Sequence, residues 1–377
     1  MAKLEEVFTI ASGGTPDKRN PSYYENGTIP WVKTGDLKNQ YVPTGIDCIT
    51  EEGLNNSSAK LFPPNTVLVA MYGATIGACS ILSYEAATNQ ACAAFLPNEN
   101  VLPTYLYYFL SSKREQFVKD GVGGAQPNIS AGYLKNVQFG LIPMQQQIDI
   151  VEKLDKVEKL IALRKEQLAK LDQLVKSRFV ELFGDTPDEE KKTMADICKI
   201  ITDGTHQPPK FTSTGIPFLF VSNIVTNEIH YDAEKFISEE TYAELIKRTP
   251  IAIGDILLST VGSYGHPAVV KSDKPFCFQR HIAYLKPNAD MVNSEYLRGA
   301  ILSADVQRQI DERVKGIAQK TLNLSEIRKL QLPLPSMEQQ EQFAAFVEQT
   351  DKSKLAIQYS LNKLELLKKS LMQKYFG

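Results

Sequence analysis

The chain has 377 residues, a formal net charge of −2 and a hydrophobic content of 43%. This composition is sufficient for two or three ordinary hydrophobic cores and excludes a disordered chain. The strongly basic charge that is usual in nucleic-acid-binding domains is missing, so DNA binding would require a basic face or a partner that supplies phosphate contacts. The N-terminal residues lack the pattern of a signal peptide, and no apolar run approaches the roughly 18 residues of a membrane span. We therefore expect a cytoplasmic protein with no membrane partner.

The five cysteines and four histidines do not form a metal-binding pattern. The cysteines are odd in number and include no C-x-x-C pair, which is typical of reduced thiols in a cytosolic protein. The histidines have no His-x-x-x-His spacing. We expect no metal site, and we interpret the cysteines as buried apolar residues.

Two segments of the chain, residues 1–143 and residues 185–335, carry short apolar runs between Pro, Gly and Asn residues. This pattern predicts strands joined by turns. Apolar residues at three- and four-residue spacing predict a helix over residues 102–119 in the first segment and over residues 294–314 in the second. Each segment is therefore expected to be a mixed domain with a substantial sheet.

A long helix is predicted after each mixed domain, over residues 144–184 and residues 336–377. The first carries aliphatic side chains at heptad positions a and d, the pattern of a helix that packs against a partner helix. Its d positions are Leu154, Ile161, Leu168, Val175 and Leu182. The second helix places Lys354 and Lys368 at d, so we expect it to pack less uniformly. At about 1.5 Å per residue, either helix could be ~60 Å long and could hold two domains apart.

The two halves of the chain follow one plan. MQQQ at residues 144–147 recurs as MEQQ at residues 337–340, an offset of 193 residues, and FG at residues 183–184 recurs at the same offset as residues 376–377. If the two helices run antiparallel, the duplication creates a pseudo-two-fold axis. Duplex DNA has local two-fold symmetry of the same kind.

The sequence resembles the specificity subunits of type I restriction-modification systems over its whole length. The resemblance rests on an ordered set of short segments that precedes each helix opening with Met-x-Gln-Gln. In the first half these are SGGTP at residues 12–16, IPWVKTGDL at 29–37, GATIG at 73–77 and NQ at 89–90, and in the second half they are DGTH at 203–206, GIPF at 215–218 and GIAQ at 316–319.

The resemblance implies an α+β fold in which two mixed, sheet-containing target-recognition domains are separated by two long antiparallel coiled-coil helices, with an internal pseudo-two-fold repeat. It implies that each domain reads one half of a split double-stranded DNA target. It also implies that two DNA methyltransferase subunits dock on the helices and that restriction/translocase subunits join them. S-adenosylmethionine, ATP and Mg²⁺ would then belong to those partner subunits, with no cofactor in this chain.

Motifs for catalysis are missing from the sequence. It has no Asn/Asp-Pro-Pro-aromatic methyltransferase motif, no ATP-binding loop with Gly-Lys-Ser/Thr and no Gly-x-Ser-x-Gly nucleophile. FPPN at residues 62–65 has the wrong flanking residues, and the acids in PDEEK at residues 187–191 are too closely spaced to enclose a metal ion. We therefore predict no intrinsic catalytic activity.

Base readout in DNA requires side chains with paired donors and acceptors, so exposed polar residues in loops are the candidates. For each of them, a turn former or a solvated surface residue is the alternative role. The candidates in the first domain are Thr15, Lys18, Lys33, Thr34, Tyr72, Thr75, Asn89, Gln90 and Gln126. The candidates in the second domain are His206, Gln207, Lys210, Ser263, Tyr264, Arg280, Gln319 and Lys320. Trp31 could stack on DNA, but we interpret it as a buried aromatic residue.

Two other functions stay open at this point. A non-catalytic scaffold, with duplicated ligand-binding domains joined by a coiled coil, would suit the near-neutral net charge. A DNA-reading subunit of a related methylation-only or phage-defence system would share every motif described above.

Overall fold

The computed structural model describes residues 1–121, 128–187, 190–316 and 320–377. The chain divides into two units: unit 1 comprises Met1–Leu163 and Ser360–Gly377, and unit 2 comprises Arg164–Tyr359. Each unit therefore contains one mixed domain and a part of both long helices. Among the described residues, no helix combines the length and the apolar character needed to cross a membrane.

Unit 1 alternates short strands and short helices before the first long helix begins. Its strands are β1 (Ala2–Lys3), β2 (Ile10–Ser12), β3 (Ile29–Val32), β4 (Cys48–Ile49), β5 (Leu61–Phe62), β6 (Val67–Ala70), β7 (Cys79–Ile81), β8 (Ala86–Thr88), β9 (Cys92–Phe95) and β10 (Gln138–Phe139). Its helices are α1 (Leu4–Val7), α2 (Glu51–Asn55), α3 (Pro103–Ser112), α4 (Arg114–Asp120), α5 (Ala131–Asn136) and the first part of α6 (Met144–Phe183).

Two four-stranded sheets organise unit 1. The order β2-β9-β6-β7 is antiparallel throughout, whereas the order β4-β3-β8-β5 contains one parallel pair. In that pair Trp31 of β3 lies opposite Ala87 of β8, and Val32 lies opposite Thr88. Because parallel strands end at the same edge of a sheet, the loops that follow β3 and β8 are neighbours.

The central strand β6 is apolar at every position because both of its faces are covered. Val67 and Val69 pack in the core that contains helix α3, and Leu68 and Ala70 pack in a second core that contains Val32. Side chains alternate between the faces of a strand, so a strand with two buried faces requires an uninterrupted apolar run.

Unit 2 repeats this order of elements. Its strands are β11 (Lys191–Thr193), β12 (Cys198–Asp203), β13 (Ile216–Leu219), β14 (Lys235–Ile237), β15 (Ile256–Ser259), β16 (Pro267–Val269), β17 (Cys277–Phe278), β18 (Ile282–Pro287) and β19 (Gln331–Pro333). Its helices are α7 (Met194–Ile197), α8 (Glu239–Leu245), α9 (Ser294–Ile301), α10 (Ala304–Arg313), α11 (Leu324–Ile327), the last part of α6 and the first part of α12 (Met337–Phe376).

The sheets of unit 2 also resemble those of unit 1. A four-stranded sheet has the order β12-β18-β15-β16, and a three-stranded sheet has the order β14-β13-β17. The pair β13 and β17 is parallel, with Phe218 opposite Cys277 and Leu219 opposite Phe278. Unit 2 therefore has the same parallel pair as unit 1, and this confirms the duplicated mixed domain that the sequence predicts.

The structure corrects the helices predicted over residues 102–119 and 294–314. Each consists of two helices. The helix is interrupted at Lys113 between α3 and α4, and at Leu302 and Ser303 between α9 and α10. The side chain of Ser303 accepts a hydrogen bond from the backbone N–H of Val306 and so caps the new helix α10. Apolar spacing alone does not register such a break.

In unit 1 the two long helices contact each other in the antiparallel sense. Lys368 of α12 forms an ion pair with Glu158 of α6, and Phe376 near the end of α12 shares a core with Val151 and Leu154. Residues later in α12 therefore contact residues earlier in α6. The glutamate satisfies the lysine that interrupts the apolar heptad pattern.

In unit 2 the long helices are also antiparallel. Lys354 of α12 lies 2.5 Å from a carboxylate oxygen of Asp172 in α6, and the ring of Phe343 lies 5.9 Å from that of Phe183. The heptad prediction is wrong at Leu182, which is 39% exposed. Phe183 is buried in its place, because its ring also packs edge-on against Tyr296 at 5.2 Å.

A fully buried glutamine attaches α6 to the domain that precedes it. Oε1 of Gln147 accepts a hydrogen bond from the backbone N–H of Leu102 at 2.9 Å. Its Nε2 donates to the backbone oxygens of Asn100 at 2.8 Å and Ile142 at 2.9 Å. The glutamine therefore holds the loop before α3 against the start of α6.

Gln340 makes the same three contacts at the start of α12 and is also fully buried. Its Oε1 accepts from the backbone N–H of Asn293 at 2.8 Å, and its Nε2 donates to the oxygens of Met291 and Pro335 at 3.1 and 2.9 Å. These contacts explain the last residue of the Met-x-Gln-Gln motif in both halves. We refer to Gln147 and Gln340 as the two helix-anchoring glutamines.

The expectation of buried cysteines holds for three of the five. Cys79, Cys92 and Cys277 are buried, whereas Cys48 and Cys198 are partly exposed, and all five are free thiols. Burial raises the pKa of Cys79 and of Cys92 to about 12, so both thiols stay protonated at neutral pH. These two side chains therefore behave as small apolar residues.

Candidate nucleic-acid interface

In unit 1 the loops that follow β2, β3, β6 and β8 meet at one edge of the sheets. The backbone N–H of Gly14 donates to the oxygen of Thr88 at 2.9 Å, and that of Asn89 donates to the oxygen of Val32 at 3.0 Å. A third bond, 2.8 Å long, joins the N–H of Met71 to the oxygen of Ala91. We call this group of loops the loop edge of unit 1.

The close approach of the loop after β2 depends on glycine. A Cβ atom on Gly13 would lie 2.0 Å from the backbone oxygen of Thr88, well inside van der Waals contact. Trp31 also holds this loop in place, because its buried Nε1 donates a hydrogen bond to the backbone oxygen of Gly14 at 3.1 Å. Only 4% of Trp31 is exposed, which confirms the interpretation of a buried aromatic residue.

All the candidate residues of unit 1 that the structure describes belong to these four loops. Thr15 and Lys18 follow β2, Lys33 and Thr34 follow β3, Tyr72 and Thr75 follow β6, and Asn89 and Gln90 follow β8. Gln126 lies outside the described residues. The structure brings these loops together, and Thr15 contacts Gln90 although the two residues lie 75 positions apart in the sequence.

The side-chain contacts separate these candidates into different roles. The hydroxyl of Thr15 donates a hydrogen bond to Oε1 of the exposed Gln90. Asn89 and Thr75 instead bond to nearby backbone, at the N–H of Ala91 (3.2 Å) and the oxygen of Tyr72 (3.2 Å), so they stabilise turns. The ring of Tyr72 is 44% exposed and is available for contact.

Lys33 is the candidate cation of the loop after β3, and its charge is balanced within the unit. Its ammonium group forms an ion pair with Asp47, and this hydrogen bond raises the pKa of Lys33. A lysine that already has an acidic partner gains less from a phosphate than an unpaired one does. Lys18 is exposed on the loop after β2.

The same three backbone hydrogen bonds occur in unit 2, and we call this set of bonds the backbone frame. The N–H of Thr205 donates to the oxygen of Phe278 at 3.2 Å, and that of Gln279 donates to the oxygen of Leu219 at 3.1 Å. The third bond, from the N–H of Thr260 to the oxygen of His281, is 3.0 Å long. The loops that follow β12, β13, β15 and β17 therefore form the loop edge of unit 2.

The matching bonds align the two loop edges residue by residue. Gly14 corresponds to Thr205, so Thr15 corresponds to His206. Asn89 corresponds to Gln279, so Gln90 corresponds to Arg280. At these two matched positions the side chains are neutral in unit 1 and ionisable in unit 2.

The ionisable side chains of unit 2 form two small groups. Asp203 accepts contacts from Nε2 of His206 at 2.9 Å and from the guanidinium of Arg248. Nε of Arg280 donates to Nε2 of the adjacent His281 at 3.4 Å. Partial burial of His281, followed by the charge of Arg280, lowers the pKa of the imidazole and favours its neutral form.

A cavity of about 450 Å³ opens at the loop edge of unit 2. Its lining includes Asp203, Arg280, His281, Thr321 and Asn323. A cavity of about 730 Å³ in unit 1 lies away from the loop edge, between residues such as Tyr105, Tyr133 and Phe376, and none of the candidate residues lines it. The cavity at the loop edge of unit 2 is therefore lined in part by a candidate residue, Arg280.

The other candidates of unit 2 have varied surroundings. Gln207, Lys210 and Ser263 are exposed on loops. The hydroxyl of Tyr264 donates to Asp311 of α10 at 2.9 Å, and the ammonium of Lys320 lies 6.0 Å from the centre of the Tyr264 ring. Gln319 lies outside the described residues.

Three residues at this edge escaped the sequence analysis: Asp203, Arg248 and His281. Asp203 lies three residues before the candidate His206, and His281 directly follows the candidate Arg280. Arg248 lies 45 residues from Asp203, and no local pattern connects them. Within the described parts of the chain, no three His, Cys, Asp or Glu side chains are grouped to hold a metal ion.

Comparison with known proteins gives matches over both halves of the chain. A family model described as type I restriction modification DNA specificity domain matches residues 1–173 and again residues 188–366. The chain is 25% identical over 375 residues to the type I restriction enzyme MjaIX specificity subunit of Methanocaldococcus jannaschii, covering 92% of this chain and 85% of that protein. It is 30% identical over 162 residues to the EcoR124I/EcoR124II specificity subunit of Escherichia coli, covering 42% and 40%.

Solved structures resemble the whole chain in fold. The S subunit of a type I restriction-modification system from M. genitalium aligns with a TM-score of 0.54 and 15% identity, over 100% of this chain and 95% of that one. A chain from a structure describing complex assembly and conformational transition of the type I R-M system aligns with a TM-score of 0.61 and 17% identity, over 100% and 96%. These alignments confirm the α+β fold with its internal repeat.

Proposed function

The chain belongs to the family of type I restriction-modification DNA specificity domains, the non-catalytic specificity subunits of these enzymes, and we propose that each of its two units reads one half of a split DNA target. The loop edge of unit 1 contacts one half-site in double-stranded DNA, and the loop edge of unit 2 contacts the other. Unread base pairs lie between the half-sites.

One observation carries the proposal. Both loop edges are held by the same three backbone hydrogen bonds, yet Thr15 and Gln90 in unit 1 are replaced by His206 and Arg280 in unit 2. A constant frame with different exposed side chains is what two readers of different base sequences require, because base edges are distinguished by donor and acceptor patterns. A duplicated domain with a purely structural role would not require this difference.

The charge of the chain limits what it does alone. The net charge is −2, and Lys33 and Arg248 at the loop edges are already paired with Asp47 and Asp203. Phosphate contacts dominate the affinity of most DNA-binding proteins. We therefore expect weak, salt-sensitive DNA binding by the isolated chain and tight binding only with a partner that supplies further cations.

The long helices offer a surface for that partner. Leu367 in unit 1 and Leu174 in unit 2 occupy equivalent positions of the repeat, and they are 45% and 47% exposed. Other exposed apolar side chains on the helices include Leu160, Leu163 and Leu366 in unit 1 and Val180, Leu182, Leu355 and Tyr359 in unit 2. Exposed apolar groups of this kind are typical of protein interfaces.

We assign this helical surface to two DNA methyltransferase subunits, one for each repeat. Restriction/translocase subunits would join through them, and S-adenosylmethionine, ATP and Mg²⁺ would be bound by these partners. The assembled complex would act on DNA in the cytoplasm. The matched pair Leu174→Glu and Leu367→Glu tests the assignment, because each substitution should remove one methyltransferase copy from the purified complex.

Co-expression with the cognate methyltransferase subunit tests the proposed function directly. The complex should modify a single split sequence in a host that lacks other methylation, and sequencing of the methylated DNA should reveal both half-sites. The methyltransferase expressed without this chain is the control. Modification of the same sites in that control would contradict the proposal.

The helices would also set the number of unread base pairs. Inserting one heptad into both α6 and α12 adds about 10 Å of helix, the length of roughly three base pairs. We expect the gap between the half-sites to lengthen while both half-sites stay the same. An unchanged gap with altered half-sites would show that the helices do not act as the spacer.

A further inference from the structure

We infer that Gln90 and Arg280 are equivalent base-reading residues, and that Gln90 reads an adenine in one half-site while Arg280 reads a guanine in the other. The inference rests on the proposed function of the two loop edges. It goes further by naming one residue in each unit and the base that its chemistry selects.

The backbone establishes the equivalence of the two residues. Each follows a residue whose N–H donates to the end of the neighbouring parallel strand: Asn89 to Val32, and Gln279 to Leu219. Each is also followed by a residue whose backbone oxygen accepts a hydrogen bond from the loop after the central strand. Ala91, after Gln90, accepts from the N–H of Met71, and His281, after Arg280, accepts from the N–H of Thr260. Both side chains are exposed. The side chains of Gln90 and Arg280 therefore project from equivalent positions of the backbone frame.

The surroundings of Gln90 suit an adenine. The hydroxyl of Thr15 donates to Oε1 of Gln90, and it occupies one of the two lone pairs of that oxygen. The second lone pair and the NH₂ group remain for a ligand. Adenine presents an acceptor at N7 and a donor at N6 in the major groove, which is the complement of an amide.

The surroundings of Arg280 suit a guanine. Its Nε donates to Nε2 of His281, so this bond helps to hold the guanidinium in place and does not use the N–H groups of the two terminal nitrogens. His281 is able to accept because its neutral form is favoured. Guanine presents two acceptors, O6 and N7, and a guanidinium with two terminal donors binds both at once.

The charges nearby favour a base over a phosphate at Arg280. Asp203 lines the same cavity as Arg280, and 14% of its side chain is exposed. The carboxylate is already paired with the guanidinium of Arg248 and contacts His206, so this group offers no unpaired positive charge that would attract a phosphate. The edge of a guanine carries no net charge and needs no such cation. Gln90, being neutral, has no charge to offer a phosphate.

The test compares methyltransferase complexes that contain the wild-type chain, Gln90→Ala, Arg280→Ala, Arg280→Lys or the control Arg308→Ala. Arg308 lies on α10 and is 67% exposed. Methylated sites are mapped across a whole genome for each complex. We expect Arg280→Ala to reduce the preference for guanine at one position by at least about fivefold, as the loss of a bidentate contact should. Gln90→Ala should do the same for an adenine in the opposite half-site, and Arg308→Ala should leave the motif unchanged.

Arg280→Lys separates a base contact from a phosphate contact, because lysine keeps the charge and loses the fork of two donors. It should relax the same position as Arg280→Ala. A second measurement uses a duplex with 7-deazaguanine at that position, which should weaken binding of the wild-type complex and leave binding of the Arg280→Ala complex unaffected.

Two results would overturn the inference. One is a uniform loss of methylation at all sites with no position relaxed, and the other is relaxation by both variants within the same half-site. A wild-type complex that yields no split motif would instead overturn the proposed function, so the two failures are distinguishable.

Discussion

Unit 1 and unit 2 share a backbone frame at their loop edges and differ in the charge of the side chains on it. At two matched positions the side chains of unit 1 are neutral, Thr15 and Gln90, whereas those of unit 2 are His206 and Arg280. In unit 2 Asp203 also joins His206 to Arg248. All four histidines of the chain lie between residues 206 and 281, so unit 1 contains none. The frame can therefore hold very different chemistry without a change in its hydrogen bonds.

The units are most alike where each domain meets the long helices. The anchoring glutamines make the same three hydrogen bonds, and an aromatic contact also repeats: Tyr105 lies 5.3 Å from Phe376, and Tyr296 lies 5.2 Å from Phe183. Contacts that position the domain are thus duplicated, and contacts available to a ligand are varied. This separation lets recognition change without loss of geometry.

The largest expected effect concerns the duplicated region. Gln147→Met and Gln340→Met keep the length of the side chain but leave one backbone N–H and two carbonyl oxygens without their partner, all three in part-buried hydrogen bonds. Each unsatisfied group costs about 1–3 kcal/mol, so we expect each variant to lose ~3 kcal/mol or more of unfolding free energy. Urea denaturation of the full chain measures the loss.

Gln146→Met is the matched control, because Gln146 is exposed in the same turn of α6. It should change stability by less than about 0.5 kcal/mol. Similar losses of unfolding free energy in the two anchoring variants would support the conclusion that both domains are attached to their helices in the same way. A large loss for only one variant would contradict that conclusion.

The anchoring glutamines show which features could be predicted from the sequence and which could not. The repeat makes Gln147 and Gln340 visible as a motif, but their partners are backbone atoms of loops, such as the oxygen of Asn100, which no side-chain pattern reveals. The long helices and the duplicated domains could be predicted because apolar periodicity and repetition extend over many residues. Apolar periodicity and sequence repetition can be recognised without knowledge of tertiary contacts.

Contacts between distant residues could not be predicted. The pairing of Asp203 with Arg248 depends on how the chain from β12 to α8 folds back, and the burial of Phe183 instead of Leu182 depends on the rings of Tyr296 and Phe343. The sequence predicted exposed loop residues as candidates but did not indicate which loops are neighbours. Tertiary contacts decide which members of the set touch.

A smaller effect is expected at the two lysines in the helix seam. Lys354→Glu in unit 2 would face Asp172 and Asp351, whereas Lys368→Glu in unit 1 would face Glu158. Like charges repel most strongly where several acids are close and partly buried. We expect a loss of about 1–2 kcal/mol for Lys354→Glu and less than about 1 kcal/mol for Lys368→Glu, measured by urea denaturation.

Double-mutant cycles test the origin of these losses. Asp172→Lys should restore stability to Lys354→Glu, and Glu158→Lys should restore it to Lys368→Glu. The control Lys352→Glu disturbs only an exposed pair with Glu348, and it should cost about 0.5 kcal/mol or less. Failure of either rescue would mean that the aliphatic stem of the lysine, and not its charge, stabilises the seam.

The smallest expected effect is a pH dependence confined to unit 2. Burial lowers the pKa of His266, and burial together with the charge of Arg280 lowers the pKa of His281. In the unfolded chain both histidines would titrate near pH 6.5. Between that value and their lowered pKa, the unfolded state binds more protons than the folded state, so unit 2 loses stability as the pH falls through this range.

Hydrogen exchange followed by mass spectrometry measures this effect in each unit separately. From pH 7.5 to about pH 5.5, once the intrinsic exchange rates are corrected for pH, strands β15 to β18 should lose more protection than strands β6 to β9. The double variant His266→Gln and His281→Gln removes both titrating groups, so it should flatten the pH dependence of unit 2. Equal loss of protection in both units would trace the effect to carboxylates, which both units contain, and would remove the histidines as the basis of the difference.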